Sequence, residues 1–325
     1  MPKVSVLVAV YNAEPFLQKC LDSLATQTLG DIQVICIDDA STDGSRAILE
    51  HYSAQDNRFE VIALAENRGQ AHARNVGLRR AKGDYICMLD ADDWLAPDAL
   101  KLAVEAFDEA TDSVLFEVMM SYDDGREEPY PMKPFDAITG EEAFRRSLSW
   151  AIHGLYMVRA QIHQRHPYDE SCRLYSDDNT TRIHYISSRQ VRCCQGRYYY
   201  RQHAASATHR SSVRRFDYLK ANESMRRQME ELGVSAEVMA CYENHRWLNL
   251  IDVCMFYHVH GRELSAEARR YGLGEIRRVW ASLDRGALKK ETTAKFGYRP
   301  CKSWLGFRTQ EWLYFTLRGF LGRNR

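Results

Sequence analysis

The sequence predicts an α/β fold: a mostly parallel sheet flanked by helices, followed by a helical C-terminal region. Three observations predict it. Short apolar runs alternate with helical periodicity through roughly the first hundred residues, which is the pattern of βαβ units. Each run ends in polar residues, as strands do when a ligand binds at their carboxyl ends. From Ser212 onward the apolar spacing is helical, with no further strand signal.

Val4 to Val10 (Val-Ser-Val-Leu-Val-Ala-Val) reads as a central parallel strand, ended by Tyr11-Asn12. Glu14 to Thr26 sets Phe16, Leu17, Cys20, Leu21 and Leu24 at helical spacing, with Pro15 in the first turn. Gln33 to Ile37 is the second strand and leads into Asp38-Asp39. Ser41-Thr42-Asp43-Gly44 is a turn capping a helix from Ser45 to Ser53. Phe59 to Leu64 is a third strand, and Gly69 to Lys82 a helix stopped by Gly83. Tyr85 to Leu89 is a strand buried on both faces that runs into Asp90, Asp92 and Asp93. Carboxylates packed this closely repel one another. A divalent metal bound to phosphate oxygens is the simplest cation to sit among them. Asp93 reads as a cap for the next helix, entered through Pro97 and running to Phe107.

Ser113 to Ser121 is another strand, Asp123 to Pro134 a polar surface loop, and Trp150 to Arg159 contains a short strand. Tyr175 to Thr180 opens a helix, with Ser176 or Asp177 as its cap. Val191 to Gln202 is the last strand. Tyr11-Asn12, Asp38-Asp39, Asn67-Arg68 and Asp90-Ala91-Asp92 all fall at strand ends. Four polar clusters therefore share one rim.

Bulk composition excludes several classes. The chain has 325 residues with 44 basic and 44 acidic side chains, so charge gives no argument for nucleic-acid binding. Hydrophobic residues make up 45%, enough for a core rather than disorder. The nine cysteines are an odd count without a CxxC, which argues against a disulfide framework or zinc ribbon and for a reducing compartment. Met1-Pro2-Lys3 leads directly into a strand pattern without a signal-peptide h-region, and no apolar run reaches membrane-spanning length. The expected location is cytoplasmic. Asp90-Ala-Asp-Asp93 lacks the glycine and later glutamate of an EF-hand. No GxGxxG follows the first strand, which excludes a dinucleotide-binding dehydrogenase.

Four blocks carry a family resemblance: Val4 to Asn12, Cys36-Ile-Asp-Asp-Ala-Ser-Thr-Asp-Gly44, Glu66-Asn-Arg-Gly-Gln-Ala-His-Ala-Arg-Asn75 and Leu89-Asp-Ala-Asp-Asp93. Together they resemble family 2 glycosyltransferases of the GT-A (Rossmann-like) fold, with Ala9 where many members have proline. The resemblance implies a nucleoside diphosphate sugar donor, UDP-linked. Tyr11, with Asn12 beside it, stacks near the base, and Asp39 accepts a hydrogen bond from the base. Asp38 is the alternative, as a structural cap. Asn67, Arg68 and Arg74 flank the donor; Arg74 reads either as a ribose or phosphate contact or as a surface charge on its helix. Asp90-Ala91-Asp92 matches the family's DxD motif. Asp92 is then the metal ligand and Asp90 lies near the ribose, with Mn²⁺ or Mg²⁺ as the cation.

Inverting transfer needs a carboxylate to take the acceptor's proton. Tyr175-Ser176-Asp177-Asp178 resembles the family element that supplies it. Asp178 is the expected base and Asp177 its neighbour or a donor-sugar contact, with helix capping as the plain alternative. Tyr198-Tyr-Tyr-Arg-Gln-His-Ala-Ala-Ser-Ala-Thr-His209 resembles members that build surface polysaccharides. It offers His209, or His203, to the metal shell, and Arg201 and Arg210 to phosphates. The implied division is a catalytic domain over 1–211, comprising a nucleotide-sugar half (1–110) and an acceptor half (111–211), and a helical region over 212–325. The acceptor is a cell-surface or lipid-linked glycan.

Two other classes stay in view. A sugar nucleotidyltransferase would favour a Gly-rich basic loop after the first strand, where this chain has Tyr11-Asn12-Ala13-Glu14. A non-catalytic sugar-nucleotide-binding protein would fit loss of the base or the DxD, and both are present. The tail from Ser303 to Arg325 interleaves aromatic and aliphatic residues with arginines. It reads equally as an interfacial helix on the inner membrane face or as packing against the catalytic domain or a second subunit.

Overall fold

A computed structural model describes residues 1–171, 175–202 and 213–322. The chain divides into two compact units, Met1–Ala207 and Thr208–Arg325.

In the first unit, strands β1 (Val4–Val10), β2 (Ile32–Asp38), β3 (Phe59–Ala63) and β4 (Tyr85–Met88) run parallel in the order β3-β2-β1-β4. Helices α1 (Glu14–Ala25), α2 (Ser45–Gln55) and α3 (Gln70–Leu78) make the crossovers. The continuous apolar run of β1 follows from burial on both faces. Val4, Val6, Val8 and Val10 share a core with Leu17, Cys20, Leu21 and Leu24 of α1. Leu7 joins Ile35, Ile37, Ala73 and Leu78 on the other side.

The sheet continues through β5 (Trp94–Leu95), β6 (Thr111–Tyr122), β7 (Glu127–Pro129), β8 (Ala137–Thr139), β9 (Tyr156–Arg159) and β10 (Gln190–Gln202). Its order beyond β4 is β9-β6-β10-β5, with β7 on β6 and β8 on β10. Strand β9 is antiparallel to both β4 and β6, whereas β10 runs parallel to β6. Helices α4 (Ala99–Glu105), α5 (Gly140–Ser147), α6 (Ala160–Arg165) and α7 (Ser176–Ser187) complete this half. The fold class is the expected one, and its first four strands end on one rim.

Local differences have identifiable causes. Helix α3 ends at Leu78, short of Lys82. Gly83 is not its cap: a Cβ there would sit 2.5 Å from the Ser5 amide nitrogen, so glycine is required where the chain crosses β1. The 123–134 loop contains β7, which pairs with Ser121 to Met119. Helix α5 was not expected, although Thr139 followed by Glu142 is a capping signal. Thr139 accepts from the Glu142 amide at 3.2 Å.

The second unit is helical: α8 (Asp217–Glu231), α9 (Ala236–His260), α10 (Ala266–Ser282) and α11 (Trp304–Phe320). Trp247, Leu250, Ile276, Phe307 and Phe315 build its core. Buried Arg246 pairs with Glu243 at 2.6 Å and Glu223 at 3.3 Å. Among the described residues no helix is long and apolar enough to cross a membrane.

Candidate active site

The rim is stitched together by its own polar residues. Asn12 adopts φ 50°, a left-handed conformation that asparagine tolerates. Its amide oxygen accepts from the Thr42 amide at 2.8 Å, and its own N–H donates to Ser41 Oγ at 3.1 Å. Tyr11 beside it stays 51% exposed, leaving a ring face available for stacking. Asp38 does what the cap reading expected, accepting from the Ser41 amide at 3.0 Å.

Asp39 is buried and grips the start of α3. Its two carboxylate oxygens accept from the amides of Arg68 and Gly69 at 2.9 and 2.8 Å. Asn67 donates to the Asp39 carbonyl at 3.3 Å. Gly69 has φ 93° and ψ 161°, a region essentially restricted to glycine. Arg68 is exposed. Each Asp39 oxygen has a second lone pair, so the clamp on 68–69 leaves acceptor capacity for a further donor.

Arg74 is not a surface charge. It is 1% exposed, its Nη2 donates to Asp90 Oδ1 at 2.5 Å, and its guanidinium lies over the Tyr168 ring. Gln70 donates to the same Asp90 oxygen at 2.9 Å. Burial pushes the Asp90 carboxyl up from its ordinary range; Arg74 opposes this, while Asp92 and Asp177 add to it. The charge of Asp177 is therefore felt at Asp90, although 87 residues of sequence separate them.

Ala91 is buried and Asp92 half-buried between its neighbours. Asp93 does not cap the following helix. It is fully buried, accepting from Tyr198 Oη at 2.8 Å and from the Arg201 amide at 2.8 Å. Burial, then Asp90 and Asp92, raise its carboxyl well above the usual range. Tyr198 also accepts from the Asp90 amide at 3.3 Å. The Arg201 Nε donates to the Asp92 carbonyl at 2.9 Å, and its guanidinium lies over the rings of Trp94 and Phe16. Strand β10 thus fastens the whole Asp90–Trp94 turn. Sequence reasoning placed Tyr198 in a strand and at the head of the run to His209, but not at the aspartates, and did not single out Gln70; only the fold brings either there.

Helix α7 supplies the other carboxylates. Its cap is Tyr175, at φ 66° and with no side-chain cap bond. Ser176 opens the helix, and Asp177 Oδ1 accepts from the Asp178 amide at 3.0 Å. Asp177 thus serves a first-turn N–H of α7, which is part of the capping expected of it. Burial, then the charge of Asp177, raise the Asp178 carboxyl to about 7, with Arg182 pulling the other way. The helix is held by buried His184, whose Nε2 donates to the His166 carbonyl at 2.7 Å while Nδ1 accepts from Tyr156 of β9 at 2.6 Å. Burial holds the His184 imidazole down at about 3, so it is neutral. On the approach to α7, Asn75 of α3 exchanges hydrogen bonds with the Tyr168 backbone at 2.8 and 2.9 Å.

The geometry thus joins a donor-side rim to a pair of acids on α7. A family model for glycosyl transferase family 2 matches residues 5–178, more than half of the chain. The chain belongs to glycosyl transferase family 2. The match spans from β1 to the first turn of α7, so it contains the DxD and the acidic pair. Over 123 residues the chain is 41% identical to EpsH of Bacillus subtilis, covering 38% of this chain and 36% of EpsH. The chain spans about a third or less of the length of the first curated relatives it matches. Its fold resembles Staphylococcus aureus TarS 1–349, solved with UDP-GlcNAc, at a TM-score of 0.72 and 20% identity, covering 99% of this chain and 92% of TarS 1–349. The mannosyltransferase PcManGT of Pyrobaculum calidifontis, solved with GDP-Man and Mn²⁺, superposes at a TM-score of 0.51 and 17% identity, covering 99% and 88% of the two chains. These likenesses place the first unit in the GT-A fold.

Asp92 with Asp90 and Asp177 nearby suits a hard divalent cation, because the donor set is carboxylate oxygen and the charges of Asp92 and Asp177 both push the Asp90 carboxyl up. Among the described residues no group of three or more metal-ligating side chains converges. His203, His209 and Arg210 lie outside the described residues.

Proposed function

We propose that the protein transfers a sugar, with inversion, from a nucleoside diphosphate sugar to a hydroxyl of a cell-surface glycan. One observation carries this reading: the acidic pair opening α7 sits within electrostatic reach of the aspartates after β4, and Asp178 is poised near neutral pH. A base with a pKa near the working pH combines the deprotonated form with useful proton affinity. Asp178 takes the proton of the acceptor hydroxyl as its oxygen attacks the anomeric carbon, and the glycosidic bond to the diphosphate breaks on the opposite face. Asp177 keeps Asp178 basic through its charge. Tyr11 stacks on the base, Asn12 holds the loop beside it, and Asp39 uses its spare lone pairs for the base N–H. Arg68 and Asn67 border the ribose and phosphates, and Arg74 holds Asp90 toward the ribose. Asp92 would hold Mn²⁺ or Mg²⁺, which would supply neutralisation of the charge on the departing nucleoside diphosphate. UDP is the proposed nucleotide, supported by the likeness to TarS with UDP-GlcNAc.

The test is thermal stabilisation by a panel of UDP- and GDP-sugars, with and without Mn²⁺, followed by transfer assays with the best donor. A donor that binds only the folded protein raises its melting temperature. The expected result is stabilisation that needs both donor and cation and that disappears in Asp92→Ala, together with turnover. Equal stabilisation with the cation omitted, or unchanged turnover in Asp92→Ala, overturns the metal assignment.

A further inference from the structure

The second unit carries a feature that sugar transfer does not use. Helix α11 buries Phe307, Glu311 and Phe315 against the core. Its opposite side exposes Leu305 (76%), Trp312 (58%), Leu313 (41%), Leu317 (59%), Phe320 (85%) and Leu321 (65%). At 3.6 residues per turn these six fall within roughly half of the helix circumference. The only other side chains in that arc are Gln310, Thr309 and Thr316, so no charge interrupts it. Scattered exposed apolar residues are ordinary, but a continuous apolar face marks an interaction surface.

One edge of this face opens into a pocket of about 690 Å³ whose lining includes Tyr257, His258, Arg262, Arg269, Arg308 and Trp312. Trp312 belongs to both, so pocket and apolar face are continuous. Arg308 is paired with Glu311 at 2.6 Å, and nearby Glu263 is paired with His260 at 3.0 Å. Arg262 and Arg269 are exposed and form no ion pair among the described residues. His258 is held below its ordinary pKa by burial and then by Arg308 and Arg262, which places two cationic side chains around one neutral imidazole. The pocket is therefore an excess of positive charge lined with aromatic rings, bordering an uncharged apolar strip.

We propose that this surface docks the protein on a bilayer containing anionic phospholipid, with the apolar face of α11 seated among the acyl chains and Arg262, Arg269 and Arg308 receiving lipid phosphates. The charge decides between occupants. A second copy of the chain would bring the same cations to the same edge, whereas anionic headgroups complement them. Tryptophan at the boundary between strip and pocket suits the headgroup level, where one side of its ring is apolar and the other wet.

The full-length chain tests this by co-sedimentation with phosphatidylcholine vesicles, made with and without phosphatidylglycerol. The expected result is binding to the anionic vesicles that weakens with added salt, and weak binding to the neutral ones. Arg262→Gln with Arg269→Gln lowers partitioning onto anionic vesicles by roughly thirtyfold, at the usual worth of surface basic residues near such a membrane. Leu317→Asp with Phe320→Asp abolishes it. All four positions are exposed, so both variants are expected to keep the wild-type melting curve, which is measured alongside. The proposal is overturned if the wild type sediments with neither vesicle, if the apolar variant binds as well as wild type, or if the Arg variant binds both vesicles as wild type does. It is also overturned if the protein is a dimer that Leu317→Asp with Phe320→Asp converts to monomer while vesicle binding is absent.

Discussion

Replacing Asp178 by asparagine should abolish turnover and at the same time make the protein more stable. In the absence of metal and donor, the carboxyl is moved from an ordinary 3.8 to about 7. At about 1.4 kcal/mol per unit, holding it ionised in the native state costs at most about 4 kcal/mol. Solvent at the half-buried side chain screens this to about 2 kcal/mol. The sign follows from proton binding. Between about pH 4 and 7 the native state holds a proton that the unfolded chain has released, so wild-type stability falls as pH rises through that window. Asparagine cannot ionise and escapes the loss. The variant should therefore melt about 4–8 °C above wild type at pH 8, with a smaller gap at pH 5. The assay is thermal unfolding of both proteins across the pH series, with turnover measured in parallel. A variant that is no more stable than wild type at high pH, or a gap that does not open with pH, refutes the desolvated-base reasoning. Retained turnover would place the base elsewhere.

Three further outcomes follow from single contacts. Arg74→Ala should cost about 3–5 kcal/mol in denaturant unfolding, since it strands the Asp90 carboxylate. Adding Asp90→Asn should return part of that loss, and strict additivity in the double-mutant cycle would refute the coupling. Tyr198→Phe should destabilise by about 1–3 kcal/mol, by removing the hydroxyl that faces buried Asp93, and should weaken cation-dependent donor binding. Normal donor binding would separate the strand from the site. Gly83→Ala drives a Cβ into the Ser5 and Val4 backbone and should cost about 1–3 kcal/mol or more. An unchanged midpoint would mean the chain moves aside freely.

The donor half was legible because its information is local. A strand buried on both faces writes itself as Val4 to Val10, and polar residues placed at strand ends had to meet on one rim once the strands were parallel. The acidic pair was legible through its motif, but the residue that caps its helix was not. That depends on Tyr175 taking a left-handed turn, which a bulky aromatic gives no reason to expect. The surface-charge alternative for Arg74 and the cap reading of Asp93 failed for a common reason. A charged residue in a helix or turn looks solvated until the partner that buries it is known, and those partners, Asp90 for one and Tyr198 for the other, are set by tertiary packing. Helix α5 was overlooked despite a Thr-x-x-Glu start, because a short helix offers too few apolar repeats to stand out from the loop before it.

The bond from Tyr198 to Asp93 spans 105 residues of chain, and this has a consequence for how the protein comes to be active. The strands that carry the donor rim are complete by Met88, yet the aspartate turn is fastened only when β10 joins the far side of the sheet. Closing so long a loop is entropically costly and late. During synthesis the nucleotide-facing half therefore emerges well before the strand that fixes its acidic turn, and α7 emerges just ahead of that strand. Competence for chemistry should then appear in a single late step, with little cation-dependent donor binding by any nascent chain that lacks β10.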